Sequence, residues 1–212
     1  MKILKLKLFQ ESACYKKPFA FKVAETYPLP PYSTVIGMLH KALEAKNGEY
    51  FDMNVSIQGE YEGIYSNYQN LRMFKSDGKI TSMPRNVHQL LNVNLIIHVQ
   101  AEDAIIDKLY ENLSQGKVSI TLGRNEDIVR IDKIKIVESV QSVTGENAIH
   151  NAYVQAQKAD YGIKYRLNTT YKIENGYRKW NKVDVVYIEA QNNISVELVQ
   201  KDEDDDLIYF YK

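Results

Sequence analysis

Residues 3–10 alternate apolar and polar positions, Leu4, Leu6 and Leu8 against Lys5 and Lys7, and this period of two predicts a half-buried β-strand. An irregular stretch follows from Glu11 to Pro31, where Pro28, Pro30 and Pro31 forbid helix. The pattern then changes period. Val35, Ile36, Leu39, Ala42 and Leu43 form a helical stripe that starts after Ser33, a good N-cap, and ends at Asn47-Gly48 in the left-handed manner. Gly37 sits inside that helix, where it costs about 1 kcal/mol relative to Ala. Residues 53–62 and 64–75 read as strands. Asp77-Gly78 is a type I′ hairpin signal between polar arms running from about Asn70 to His88, with too few apolar residues for a core of their own. An apolar strand is expected at Val93–Val99. A second helical stripe, Ile105, Ile106, Leu109 and Leu113, follows and is closed by Gly116, and a strand at Val118, Ile120 and Leu122 comes next.

Strand, helix, strand, strand with a hairpin extension, helix, strand is the order of a ferredoxin-like, RRM-like βαββαβ core of the α+β class. Downstream the pattern is mostly β. Residues 128–137 alternate, 161–173 and 177–188 flank a second hairpin signal at Asn175-Gly176, and further strands are expected at 194–200 and 207–211. The expected organisation is a core over 1–130, with the hairpin over about 70–88 as a projection, and a β-rich appendage over 131–212.

The chain has 212 residues, 44% hydrophobic and 25% charged, as an ordinary globular protein does. No apolar run reaches membrane-spanning length and the start lacks a signal-peptide pattern, so a cytoplasmic protein is expected, with no membrane association. The single cysteine, Cys14, excludes an internal disulfide and a Cys-based zinc site. Net charge is zero, yet it is unevenly placed. Residues 1–100 carry 12 basic and 8 acidic groups, and the balance is restored largely by an acidic tail, Asp202-Glu203-Asp204-Asp205-Asp206. Such a chain can present a basic face.

The four histidines, His40, His88, His98 and His150, form no paired ligand motif, and no phosphate-binding glycine motif is present, so no metal and no cofactor is expected. His40 reads as a helix-flank residue, His88 as a ligand contact at the foot of the hairpin, and His98 as structural. The 16 tyrosines are more telling. Tyr161, Tyr165, Tyr171 and Tyr177 interleave with Lys164, Arg166, Lys172, Arg178 and Lys179, the combination that stacks bases and neutralises phosphates in single-stranded RNA. Leu122-Gly123-Arg124 ends a strand where a glycine permits close approach to a phosphate; the alternative is an ordinary turn in which Arg124 pairs with Glu126 or Asp127.

Tyr27-Pro28-Leu29-Pro30-Pro31-Tyr32-Ser33-Thr34-Val35-Ile36-Gly37-Met38-Leu39 resembles the proline-rich entry and first helix of the fifth CRISPR-associated (Cas) protein family. Leu122-Gly123-Arg124 with Glu126-Asp127 resembles that family's second characteristic segment, and Val87 to Val93 resembles its type I-B members. The resemblance covers about residues 1–130. It implies a RAMP-superfamily fold with a β-hairpin thumb. It also implies a non-catalytic subunit of a type I Cascade interference complex that caps the 5′ handle of the CRISPR RNA. The implied partners are that RNA, the Cascade backbone subunit and the large subunit, with target DNA met indirectly.

On this reading Ser33, Thr34 and Gly37 let RNA backbone approach the helix start, and the thumb wedges a base out of the stack. The groups set against the handle are Lys16, Lys17, Arg72, Lys75, Arg85, His88, Gly123 and Arg124, and the acidic tail stays off the RNA, exposed or against a basic partner. A competing reading, taken from the type I-C branch, is a metal-independent endoribonuclease that processes precursor RNA with His40, His88, Tyr32 and Lys75 as candidates. A third is an RRM-like scaffold or interaction module, against which stands the absence of any aromatic in Val93–Val99.

Overall fold

The structure is a computed structural model that describes residues 1–20, 22–159, 161–190 and 195–212, without the side chains of 195–198. Ile194, where one strand was expected to begin, lies outside the described residues. In chain order the elements are β1 (Ile3–Ala13), β2 (Val23–Ala24), α1 (Tyr32–Ala42), β3 (Asn54–Glu60), β4 (Gly63–Phe74), β5 (Ile80–Gln100) and α2 (Asp103–Ser114). They continue with β6 (Arg130–Ile136), β7 (Val140–Asn147), β8 (Asn151–Gln155), β9 (Ile163–Glu174), β10 (Tyr177–Ile188), β11 (Ser195–Asp202) and β12 (Leu207–Ile208). This is a mixed α/β fold dominated by antiparallel sheet.

The large sheet runs β6-β1-β5-β3-β8-β10-β9, with β2 and β4 attached to β5; a second sheet runs β12-β11-β7. Arg130, where the sequence reading divides the chain, opens β6, which pairs with β1, and β8 continues the same sheet from β3. The leucines of β1 point to one face, where Leu4, Leu6 and Leu8 meet Val35 and Leu39 of α1 and Ile106 and Leu109 of α2 in one cluster. Each fully buried leucine there contributes about 1.5–3 kcal/mol. Tyr153 of β8 and Tyr211 after β12 join that cluster, so distant segments share its core.

β5 is one strand of 21 residues where the sequence suggests a hairpin arm and a separate strand. Its far half pairs with β4 from Phe74↔Ile80 to Gly63↔Leu91, and its near half pairs with β3 and β1. The projecting hairpin is thus a lengthwise extension of the sheet. The partner changes at Asn92, which takes φ 47° and whose side-chain amide donates to Glu62.

Several local expectations are corrected. Ser33 does not cap α1: Pro31 holds the N-cap position, because its fixed φ of −65° already suits a helix entry. The helix ends before Asn47-Gly48. Glu44 takes the left-handed position, its N–H bonding Lys41 O while Ala45 N–H bonds His40 O, a closed Schellman turn on a non-glycine residue. The strand expected at Val118–Leu122 does not form. Thr121 makes only an isolated bridge to Ile128, while Ile120 and Leu122 drop into the core from an irregular segment. The Asp77-Gly78 loop is not type I′: only Gly78 has positive φ, and Gly78 N–H bonds Lys75 O, which makes a type I turn followed by a left-handed glycine. Asn175-Gly176, with φ 53° and 78°, is the two-residue type I′ hairpin the sequence indicates.

The largest correction concerns charge. The acidic tail is not held out in solvent; it is the turn between β11 and β12, folded onto the lysine side of β1. Lys5, 1% exposed, places its ammonium 2.6 Å from Asp202, 3.0 Å from Asp204 and 2.6 Å from Asp206. Lys7 pairs with Asp206, while Lys133 and Lys135 of β6 pair with Asp204, and Lys135 also with Glu203. His98, the cross-strand neighbour of Lys5, sets Nε2 3.0 Å from Asp202. Burial alone would lower the Lys5 pKa, but the three carboxylates hold it above its ordinary value. Burial likewise would raise Asp202, and hydrogen bonds from His98 and Lys5 outweigh it and hold it well below the carboxylate range. His98 is held below its ordinary value by burial and is neutral at pH 7.

Replacing Lys5 by Ala leaves buried carboxylates without a counter-charge and should cost about 3–5 kcal/mol, read from the urea midpoint. The pH dependence has a definite sign. His98, Asp202 and Glu203 all bind protons more weakly folded than unfolded, so unfolding free energy falls as pH drops. The loss starts as His98 titrates in the unfolded chain near 6.5 and steepens below 4.5 as Glu203, held at about 2 when folded, and the aspartates follow. Lys5 acts oppositely: its contribution is complete below 10.5 and is lost only above that. Urea midpoints between pH 7 and pH 3 measure the acid limb, and a flat profile would contradict this account.

Candidate nucleic-acid interface

Residues 15–17 lie against 25–27 in a short ladder: Tyr27 N–H bonds Tyr15 O and Lys17 N–H bonds Glu25 O, with Lys16 bridged to Thr26. The ladder presents Lys16 and Lys17 beside the start of α1. Together with Tyr27, Ser33, Thr34 and Asn168 they line a groove of about 250 Å³. Two features make this groove receptive to anions. In the first turn of α1 Thr34 N–H bonds Pro31 O, which leaves the N–H groups ahead of it without an intrahelical carbonyl, and that turn carries no acidic residue. Lys17 also pairs with Glu25 at 3.3 Å, an exposed bridge of small energy that a phosphate can displace.

The Gly123 turn is built for the protein's own sake. Asp127, fully buried, accepts from the backbone N–H of Cys14 and Arg124 and from the Arg124 guanidinium, which also reaches Glu126 and Gln69. Gly123 has φ 113°, and a Cβ there would lie 2.7 Å from the Asp127 carboxylate and 3.1 Å from Cys14 O. The close approach that this glycine permits is therefore to Asp127 and Cys14. Arg124 makes both pairings of the ordinary-turn reading, and its bond to Gln69 ties the turn to β4.

The hairpin divides its cations between two faces. Gln69 pairs with Arg85, so Arg85 shares a face with the residue that holds Arg124, and Arg85, Arg124 and Lys16 all act electrostatically on the Cys14 thiol. Arg72, paired with Ser82, and His88, paired with Ser66, fall on the alternate face, and Lys75 is at the exposed tip. Arg85 and Arg124 are brought to one face at Gln69, while Arg72, Lys75 and His88 are not on it, and Lys16 lines the groove beside α1.

His40 is fully engaged. Its Nδ1 lies 2.8 Å from Ile36 O and its Nε2 accepts from Phe51 N–H at 3.0 Å, an arrangement of the neutral ring with the proton on Nδ1. Tyr32 is packed between Tyr153 and Tyr211, and burial raises its hydroxyl pKa far above the ordinary value. Among the described residues no cluster of three His, Cys, Asp or Glu is placed to hold a metal ion, and no helix is long and apolar enough to cross a membrane.

A second groove, about 500 Å³, opens between α1 and the β9–β10 hairpin and meets the first at Ser33. Gly37, Tyr50, Tyr171, Arg178 and Trp180 line it. Of the tyrosines picked out by sequence, Tyr171 faces this groove, Tyr165 packs on Tyr27, and Tyr161 and Tyr177 stand exposed.

A proline-led helix start, a glycine turn locked to it through β1 and a long projecting hairpin thus stand on one sheet. The family model described as "CRISPR-associated protein (Cas_Cas5)" matches residues 3–191. The chain belongs to this Cas5 family. Three solved structures share the fold of this Cas5 protein. A chain of a "CRISPR RNA-guided surveillance complex" aligns at TM-score 0.64 and 12% identity, over 93% of this chain and 91% of its own. A "Cas protein" aligns at 0.54 and 13%, over 92% and 95%. A "CRISPR protein from Archaeoglobus fulgidus" aligns at 0.53 and 10%, over 100% and 99%. No curated protein is significantly similar to the chain.

Sequence reading missed Trp180 and Tyr50 as groove residues. The available signal was the register across Asn175-Gly176, which places Trp180 opposite Tyr171. In this Cas5 protein Gly123→Ala should destabilise by about 1–3 kcal/mol, since it combines a positive φ with a clash on a buried carboxylate. Thermal unfolding measures it, and an unchanged melting temperature would refute the structural role.

Proposed function

We propose that this Cas5 protein is the non-catalytic subunit of a type I Cascade complex that binds and caps the 5′ handle of the CRISPR RNA, alongside the backbone and large subunits. The observation that carries the reading is the convergence of Lys16 and Lys17 with the open start of α1 in one groove, with Arg85 and Arg124 close by. Single-stranded RNA is held by such a basic track with adjacent aromatic surface. The sheet order β6-β1-β5-β3, with a helix after β1 and another after β5 packed in one cluster, supports a ferredoxin-like core, and the β4–β5 hairpin supports a thumb. Family membership and the fold shared with a chain of an RNA-guided surveillance complex support a place in such an assembly, in the cytoplasm and with target DNA met through the guide. The engaged ring of His40 argues against the nuclease alternative.

Filter binding tests the reading with an RNA bearing the cognate 5′ handle and one with that segment scrambled. The wild-type chain should prefer the cognate RNA and leave it uncut. Lys16→Ala, Lys17→Ala and Arg85→Ala together should weaken binding tenfold or more and reduce the salt slope by about 2, at about 0.7 per phosphate contact on a single strand. Equal binding of both RNAs would remove handle recognition from this protein, and specific cleavage would return the nuclease.

A further inference from the structure

Gly37 has no structural reason to be glycine. It lies mid-helix with an ordinary φ, and a Cβ added there would meet nothing within 4 Å. Alanine would make a better helix, so the missing methyl is a cost without an internal return. The empty space beside it is the 500 Å³ groove, a size suited to a small ligand.

The walls of that groove are stacking surfaces. Cross-strand alternation puts Tyr171, Ile173, Arg178 and Trp180 on one face of the β9–β10 hairpin, turned towards α1. The Arg178 guanidinium lies 4.6 Å from the Tyr171 ring centre, and Trp180 meets Tyr171 edge-on at 5.1 Å. From the α1 side Tyr50, half exposed, stacks on His40 at 5.3 Å, and His40 is itself fixed by its two hydrogen bonds. Planar groups, fixed in place and joined to a cation, suit a flat heteroaromatic ring whose edge carries hydrogen-bonding groups, and Ser33, Asn47 and Thr169 offer partners for that edge. The neighbouring groove with Lys16 and Lys17 shares Ser33, so a phosphate there and a ring here can belong to one strand.

We infer that the groove between α1 and the β9–β10 hairpin is a nucleobase pocket, in which an unpaired base of the bound RNA stacks against Trp180 and Arg178 over the open surface of Gly37. This rests on the RNA-binding reading and assigns to it a site separate from the β4–β5 hairpin.

Trp180 is the only tryptophan, so its emission, excited where the tyrosines do not absorb, reports this groove alone. Titration of the full chain with the cognate-handle RNA should quench Trp180 in parallel with filter retention. Tyr171→Ala should weaken retention about tenfold, the scale of one stacked base. Gly37→Ala should raise the melting temperature by about 2–4 °C while weakening retention, a pairing that a purely structural glycine would not give. RNA retained with Trp180 emission unchanged would overturn the pocket and leave the binding reading standing. No retention would overturn both, and emission that responds only to added backbone subunit would assign the groove to protein instead.

Discussion

The ammonium of Lys5 is the interaction on which the two faces of the sheet depend. A strand that alternates leucine with lysine ordinarily turns its lysines to water. Here the leucine face is covered by α1 and α2, and the lysine face is covered as well, by the β7–β11–β12 sheet and its acidic turn. Burying a cation costs several kcal/mol unless its partners are close and hydrogen-bonded. Three aspartates meet that condition, and Asp202 also accepts backbone N–H bonds from Asp204 and Asp206, so the turn is shaped before it meets the cation. An aspartate-rich loop of this form commonly encloses a metal; in this protein a lysine side chain occupies that place.

This arrangement decides where positive charge remains available. Lys5, Lys7, Lys133 and Lys135 are spent on the acidic turn. The start of α1 and the two hairpins carry further cations that lie away from that turn. Zero net charge is compatible with a basic track, because five of the 27 acidic residues stand together in this one turn, against one side of the sheet.

Much of the fold could be read from local pattern. Both helices and the type I′ turn at Asn175-Gly176 follow from periodicity and turn chemistry at single positions. What escaped was non-local. Nothing near Lys5 in sequence announces Asp202, and Glu44 ends α1 in a conformation usually given to glycine, so the boundary was placed too late. The apolar residues at 118–122 look like a strand because Ile120 and Leu122 are buried, but their backbone bonds go to the following turn, through Asp127 O and Val129 N–H, and form no ladder with the sheet. For the candidate site, residue type was legible and side was not. Arg72 and Arg85 look equivalent in a list of basic residues, and the register of β4 on β5 separates them.

The Lys5 cluster also sets an order of events during synthesis. Lys5 leaves the ribosome 197 residues ahead of Asp202. At about 5–20 residues per second, β1 waits on the order of 10–40 s for its carboxylates. Through that interval one face of the nascent sheet carries uncompensated lysines, which keep it hydrated and discourage premature edge-to-edge pairing. The turn then acts as a clasp on the lysine face of β1.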